Sequence, residues 1–381
     1  MKLILSIDPV RFPLTGIGRY TWELARQLQH HPQLTELRFF CGRSFASDLP
    51  VAREQAGSTH ALKRWVQQNP WASEAYRRLM PRLKARALKG HEDALFHGPN
   101  FFLPPFAGKR VATFHDLSPF TWPQCNTPQR IRYLQKELLN TIQCADALIT
   151  DSEFVRRELA DYFSWPLERI HVVPLASGAG FRPHSAAALM PLLKQYDLAP
   201  GGYALFVGTI EPRKNIVALL DAYAMLPLDL RQRWPLILAG YQGWCSEAIY
   251  RRIHLAQQQG WARYLGYVPA EHLPGLFAGA RLFAFPSLYE GFGLPVLEAM
   301  ASGVPVVCSD SSSLPELVGK AALCSPAEDI SALHQNLRRG LEDEDWRAQA
   351  ISAGMQNADT YSWSRCADET IAVYRRVLGS D

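Results

Sequence analysis

The 381-residue chain has little of what several protein classes require. Its seven cysteines are scattered at Cys41, Cys125, Cys144, Cys245, Cys308, Cys324 and Cys366 with no C-x-x-C pair, which excludes a zinc ribbon and a dithiol redox motif. No cluster of histidine, cysteine and carboxylate has metal-ligand spacing. No apolar run is long enough to cross a bilayer. The opening Lys2–Asp8 is too short and too soon acidic for a secretory leader, so the expected location is the cytoplasm. Excess charge is missing too: a net +4 is too little to imply a nucleic-acid partner. Internal repeats and low-complexity stretches are absent. Apolar content is ordinary, which leaves a packed globular enzyme as the expected class.

What is present is alternation. Strand-like runs in the first half are Leu3–Ile7, Leu37–Cys41, Ala94–His97, Arg110–Phe114, Ala147–Thr150 and His171–Val173. Those in the second are Tyr203–Val207, Leu236–Ala239, Tyr264–Tyr267, Leu282–Phe285, Val304–Cys308 and Ala321–Cys324. Strands spaced by helical patterns make parallel βαβ sheets, and this many strands are too many for one comfortable open sheet. The small, proline-bounded stretch Val173–Pro183 reads as a flexible linker. The expected fold is therefore α/β, with two doubly wound domains over residues 1–180 and 181–358 facing across a cleft. Ligands of such sheets sit at the carboxyl ends of the strands. The helical pattern over Asp359–Leu378 suits either half.

The most informative segment is Ser287–Pro305. Glu290 and Glu298 flank a Gly291-Phe292-Gly293-Leu294 turn that opens a short helix. Pro295 suits the first helical position and Gly303 the stop. A glycine-lined turn at a helix start offers backbone N–H groups and a positive dipole end to an anion. Two acids eight apart are ordinarily surface residues, but Glu298 lies among Leu294, Val296, Leu297, Ala299 and Met300, and a buried acid needs partners. The second half also opens with Gly208-Thr-Ile-Glu-Pro-Arg213-Lys214-Asn215. Alone, an Arg-Lys pair is a solvated turn. At a strand end in the same half as the glycine cradle it reads as a diphosphate clamp, planar fork plus compact charge.

The Glu290-x7-Glu298 unit and the Gly208–Asn215 string, with Thr15-Gly16-Ile-Gly18-Arg-Tyr, Val111–Asp116 and Thr150-Asp-Ser152-Glu-Phe, resemble the retaining glycosyltransferase family 4 over nearly the whole chain. The resemblance implies the GT-B fold, with residues 359–381 crossing back onto the first domain. It implies that Arg213 and Lys214 hold the donor diphosphate, and that Glu290 bonds the donor sugar's hydroxyls. Gly291, Phe292, Gly293 and Leu294 would frame sugar and phosphates, and Glu298 would hold the ribose. Tyr267 and Val268 would lie along the nucleotide base. Gly16 and Gly18 would let the backbone approach the diphosphate from the other side, with helix Arg19–Gln29 following. His115 would contact the sugar near its reacting carbon, through a hydroxyl or its own carbonyl. His97, Asn100 and Asp116 are acceptor-side candidates. The bland reading of His97 and His115 is a structural hydrogen bonder at a strand end, and G-x-G-x-x-T misses the third glycine of a dinucleotide fingerprint.

No second carboxylate is poised as a nucleophile, unlike in retaining glycosidases, so a front-face route is expected. Asp343-Glu-Asp345 spells a D-x-D string, yet lies in a charged helical stretch, so metal-independent catalysis without a cofactor is expected. Serines replace a common Gly-Gly step before Pro315-Glu316. With His97–Pro104 and His115–Pro119, this resembles bacterial mannosyl- and rhamnosyltransferases of polysaccharide assembly. A GDP-linked mannose or 6-deoxymannose donor and a lipid-linked saccharide acceptor of O-antigen assembly are expected; a UDP- or dTDP-sugar donor stays open. A sugar-nucleotide epimerase and a non-catalytic sugar-binding protein are the rival classes. Segment Ala61–Gly90 carries eight cations against Glu74, interleaved with Trp65, Trp71 and Tyr76. It reads as a contact for the inner face of an anionic membrane, or as a solvated helix.

Overall fold

The computed structural model describes residues 1–50 and 70–379, and over 70–78 the backbone alone. Two sheets carry the described strands. The first comprises β1 (Lys2–Ser6), β2 (Glu36–Cys41), β3 (Ser44–Ala46), β4 (Leu95–Gly98), β5 (Arg110–Phe114), β6 (Ala147–Thr150) and β7 (Ile170–Val172), in the order β3-β2-β1-β4-β5-β6-β7. The second comprises β8 (Ala204–Val207), β9 (Leu236–Ala239), β10 (Ala262–Gly266), β11 (Leu282–Phe285), β12 (Val306–Ser309) and β13 (Ala322–Ser325), in the order β10-β9-β8-β11-β12-β13. Neighbours run parallel except β2 and β3. The central strands are buried throughout, which is why they read as continuous apolar runs rather than alternating ones. Strand order reverses between β1 and β4 and between β8 and β11, and these reversals open the crevices in which doubly wound sheets hold ligands.

Every expected strand is found, with ends shifted by a residue or two. The addition is β3, a three-residue antiparallel return whose Phe45 pairs with Phe40; a run of three residues is too short to carry a strand signal. The linker expectation needs correcting. Val173, Leu175, Ala176 and Phe181 are buried in an apolar cluster that runs from β1 into the second sheet. The connection is packed, because Val173, Leu175, Ala176 and Phe181 all turn inward. The last helix, Trp363–Leu378, lies on helix Gly16–Leu28 and against β6, burying Ile371, Val373 and Tyr374.

Candidate active site

The cationic hook is built by backbone. After β8 the chain makes a 3-10 turn at Pro212–Lys214, and Asn215 takes the left-handed conformation at φ 54°. The Asn215 amide donates to the carbonyls of Pro286 at 3.1 Å and Ala327 at 2.7 Å, and Leu288 N–H donates to the Arg213 carbonyl at 2.9 Å. The turn is thereby riveted to the end of β11. Lys214 Nζ lies 2.5 Å from Glu290 Oε1, and Arg213 Nη1 lies 3.6 Å from Glu290 Oε2. Arg213 also donates to Glu211 and, at 2.8 Å, to the Tyr289 carbonyl. Glu290 is fixed from behind: its N–H donates to Ser312 Oγ and its carbonyl accepts from Ser313 Oγ.

Lys214 and Glu290 are buried. Burial works against the Glu290 carboxylate, but Lys214 and Arg213 outweigh it and hold its pKa below the ordinary value. For Lys214 burial wins over Glu290, and its pKa falls. Burial also opposes the Arg213 charge, yet Glu290, Asp116 and Glu211 together raise its pKa. The two cations thus face three acids.

The glycine elbow follows. Gly293 is the N-cap of helix Leu294–Ala301 at φ 100°, with no side chain to satisfy the first-turn amides, and Pro295 stands at the helix start. Gly291 is where the halves meet: a Cβ there would sit 1.7 Å from the His115 carbonyl oxygen. Ser152 Oγ, which caps helix Glu153–Phe163, donates across the gap to the Gly291 carbonyl at 2.6 Å. Phe292 is buried, edge-on to Tyr361. Tyr289 crosses as well, its hydroxyl donating to Glu158 at 2.5 Å and accepting from Leu117 N–H at 2.9 Å.

Glu298, 5 % exposed, is paired with Arg19 Nη1 of the first half at 2.6 Å. Burial lifts its pKa to about 7, with Arg19 pulling the other way. Tyr267 stacks on Tyr241 at 4.5 Å and 23°, and both rings are nearly half exposed. Val268, by contrast, is buried in the core, so only its backbone can face a ligand.

Two first-half expectations change, for His97 and Gly18, and that for His115 narrows to its carbonyl. His97 does not face the cleft: it is wholly buried, bonded to Thr113 at 2.9 Å and to the Tyr374 hydroxyl at 2.6 Å, and burial drives its pKa down to about 3. It is a neutral tie between β4 and the last helix. His115 turns both ring nitrogens inward, to Asp151 at 2.6 Å and the Pro99 carbonyl at 3.0 Å. With the Asp151 carboxylate and the Pro99 carbonyl as its two partners, the ring is placed to carry both N–H groups. Burial opposes the charge that this brings but Asp151 outweighs it, and the pKa is raised. What His115 offers the cleft is its carbonyl. Gly18 is a packing glycine, because a Cβ would meet the Pro9 carbonyl at 2.9 Å, whereas Gly16 has open space around it. The helix also starts at Gly16, capped by Thr15, rather than at Arg19.

Asp116 accepts from Ser118 N–H and lies within electrostatic reach of Arg213 and Tyr289. Asn100 has a buried side-chain oxygen without a partner. Asp343 caps helix Glu344–Ala358 and pairs with Arg339, while Glu344 pairs with Arg281, so the D-x-D string serves a helix start. Sequence reasoning missed Arg19, Asp151, Ser152, Glu158, Tyr289, Ser312 and Ser313. Arg19, Asp151 and Ser152 lie inside motifs already singled out, at or just past strand ends and helix starts. Glu158, mid-helix, carries no such signal.

Comparison with known proteins bears on the fold and the family. Over 99% of its length the chain shares the fold of HepE from Anabaena, solved with UDP and glucose, at TM-score 0.74, 18% identity and 100% coverage of that chain. It likewise shares the fold of WaaG, a glycosyltransferase involved in lipopolysaccharide biosynthesis, at TM-score 0.67, 14% identity, and 99% and 100% coverage. The fold is thus GT-B. Residues 199–357 match the glycosyl transferases group 1, and residues 14–176 match Glycosyltransferase Family 4. The O-antigen chain mannosyltransferase B of Escherichia coli is 44% identical over 379 residues, covering 98% of this chain and 100% of the relative. The serotype-specific mannosyltransferase WbdA of Escherichia coli is 33% identical over 282 residues, 71% of this chain and 34% of that longer protein. The chain belongs to the retaining glycosyltransferases of family 4.

Proposed function

We propose that the chain transfers mannose, or a 6-deoxymannose, with retention from a GDP-linked donor to a lipid-linked saccharide in O-antigen assembly. The observation that carries the chemistry is the Arg213–Lys214–Glu290 cluster set against the Gly291–Leu294 elbow. The choice of sugar and pathway rests on the likeness to the mannosyltransferases. The two domains, 1–180 with 359–381 and 181–358, close on the donor and exclude water. The diphosphate takes over donors that Arg213 and Lys214 now direct at Glu290 and Glu211. Glu290, released from part of that pairing, accepts from the sugar hydroxyls. Glu298 exchanges Arg19 for the ribose diol, and Tyr267 lies under the base. As the glycosidic bond breaks, charge builds on the leaving diphosphate, where fixed cations and helix-start amides act most strongly. Its oxygen then takes the acceptor's proton as the acceptor oxygen bonds to the anomeric carbon on the same face. His115, doubly hydrogen-bonded, takes no part as a base; its carbonyl borders the sugar, with Asp116 and Asn100 toward the acceptor.

The test is product analysis with GDP-mannose and a lipid-linked saccharide, after a thermal-shift screen of GDP, UDP, dTDP and ADP. Stabilisation follows the logarithm of ligand over dissociation constant. A larger shift with UDP or dTDP overturns the donor, and turnover of the donor to an epimer without acceptor overturns the reaction. Transfer unchanged by EDTA is expected, since Asp343–Asp345 is committed to a helix start; loss restored by magnesium or manganese overturns that. Segment Ala61–Gly90 is the proposed membrane contact. Much of it lies outside the described residues. Where it is described, Leu79 is exposed, but Lys84 is tied to Asp8 at 2.8 Å. Failure to co-sediment with anionic liposomes at low salt removes this part.

A further inference from the structure

Strands β12 and β13 pair in parallel with Cys308 opposite Cys324. Neighbouring strands lie about 4.8 Å apart, within the Cα separation that a disulfide spans, and register partners point to the same face. The two sulfurs are 3.7 Å apart. Cys308 is fully buried and Cys324 is exposed, so one sulfur is open to a reagent and the other waits behind it. The hydrogen bond from Cys308 lowers the pKa of Cys324 and raises that of Cys308, which favours thiolate on the accessible member, the form that reacts.

The position of the pair matters. Ser309, next to Cys308, donates to the Ser287 carbonyl. Three and four residues on, Ser312 and Ser313 hold the backbone of Glu290. The β12 end and the serine loop are therefore one continuous support for the acid at the centre of the site.

We propose that Cys308 and Cys324 form a modification site, a dithiol that a hydroperoxide converts into an intramolecular disulfide, and that this closure displaces the serine loop and slows transfer. The Cys324 thiolate attacks a peroxide oxygen, giving a sulfenic acid and hydroxide. The Cys308 sulfur then attacks the sulfenic sulfur, losing its proton as the oxygen leaves in water. The balance is two thiols and one hydrogen peroxide to one disulfide and two waters, and an external dithiol reverses it. The sulfurs must close from 3.7 Å to about 2.05 Å, which turns the side chain of fully buried Cys308 and repacks the end of β12 beside Ser309. Misplacing a positioned group by about 1 Å can cost on the order of a hundredfold in rate, so a loss of about tenfold or more is expected.

The second half of the proposal rests on the glycosyltransferase reading; the first does not. The full chain is treated with hydrogen peroxide, quenched with a maleimide and digested for mass spectrometry. The expected result is a peptide pair joined through Cys308 and Cys324, with Cys41 and Cys245 still labelled, and no such pair in Cys324→Ser. Cys324 found unmodified, joined to another cysteine, or only as sulfinic acid overturns the site. In parallel, oxidised wild type should lose transfer and regain it with dithiothreitol, whereas Cys324→Ser should start at the wild-type rate and resist peroxide. A crosslink without loss of rate, or equal loss in Cys324→Ser, overturns the link to Glu290.

Discussion

Binding of a nucleotide sugar should weaken about tenfold between about pH 8 and about pH 6, and the reason is Glu298. Burial lifts its pKa to about 7 in the empty site. A carboxylate that accepts hydrogen bonds from a ribose diol must be ionised, so bound donor pulls the pKa down. The observed dissociation constant then scales as one plus the ratio of proton concentration to the acid constant. That factor is about 1.1 one unit above the pKa and about 11 one unit below, a difference of about 1.4 kcal/mol in binding. The donor itself is a suitable ligand, because its diphosphate is a diester without the terminal group that titrates near about pH 6 in a phosphate monoester. Isothermal titration calorimetry across this range reads the slope. His115, whose pKa is also raised, works in the opposite sense, since losing its charge at high pH weakens anion binding. Glu298→Gln should flatten the profile, and Arg19→Ala should move its midpoint above 7, because Arg19 lowers the Glu298 pKa. A wild-type profile that loses no more affinity toward low pH than that of Glu298→Gln refutes the assignment of Glu298 to the ribose.

Further outcomes follow from the same contacts. Arg213→Ala should lower turnover by more than about tenfold, as removal of an electrostatic stabiliser does, with an unchanged circular dichroism spectrum; full activity in the folded variant removes the cationic hook from the mechanism. Gly291→Ala puts a methyl 1.7 Å from the His115 carbonyl, so the halves must part. Small-angle scattering should show a larger radius of gyration and assays a rate near background, while a compact, active variant contradicts the contact. Tyr289→Phe leaves the Leu117 N–H without its acceptor and Glu158 without its donor. A destabilisation of about 1–3 kcal/mol is expected in urea unfolding, and no change means that water fills the place.

Legibility divides along a physical line. The Glu290–Leu294 elbow, its helix and the Arg213–Lys214 hook were readable because each is made by contiguous residues whose local chemistry does the work: proline at a helix start, glycines in the turn before it, cations at a strand end. Glu298 was rightly placed in buried company, yet its partner was not foreseen. Arg19 is 279 residues away in sequence, and no local pattern announces such a pair. Histidine shows the limit most clearly. His97 and His115 end neighbouring strands and look alike in sequence, but one is a neutral tie under the last helix and the other is held by Asp151, which raises its pKa. The difference is the neighbour, and the neighbour comes from another element.

By itself, then, the sequence determined two parallel sheets, the strand ends at which chemistry gathers, and the family, since apolar runs, turn residues and motif spacing are properties of short stretches. The tertiary structure alone decided which groups face one another across the halves: Arg19 with Glu298, Ser152 with Gly291, Tyr289 with Glu158. Charge state follows from burial and from opposing groups a few ångströms away, and both exist only once distant elements have packed.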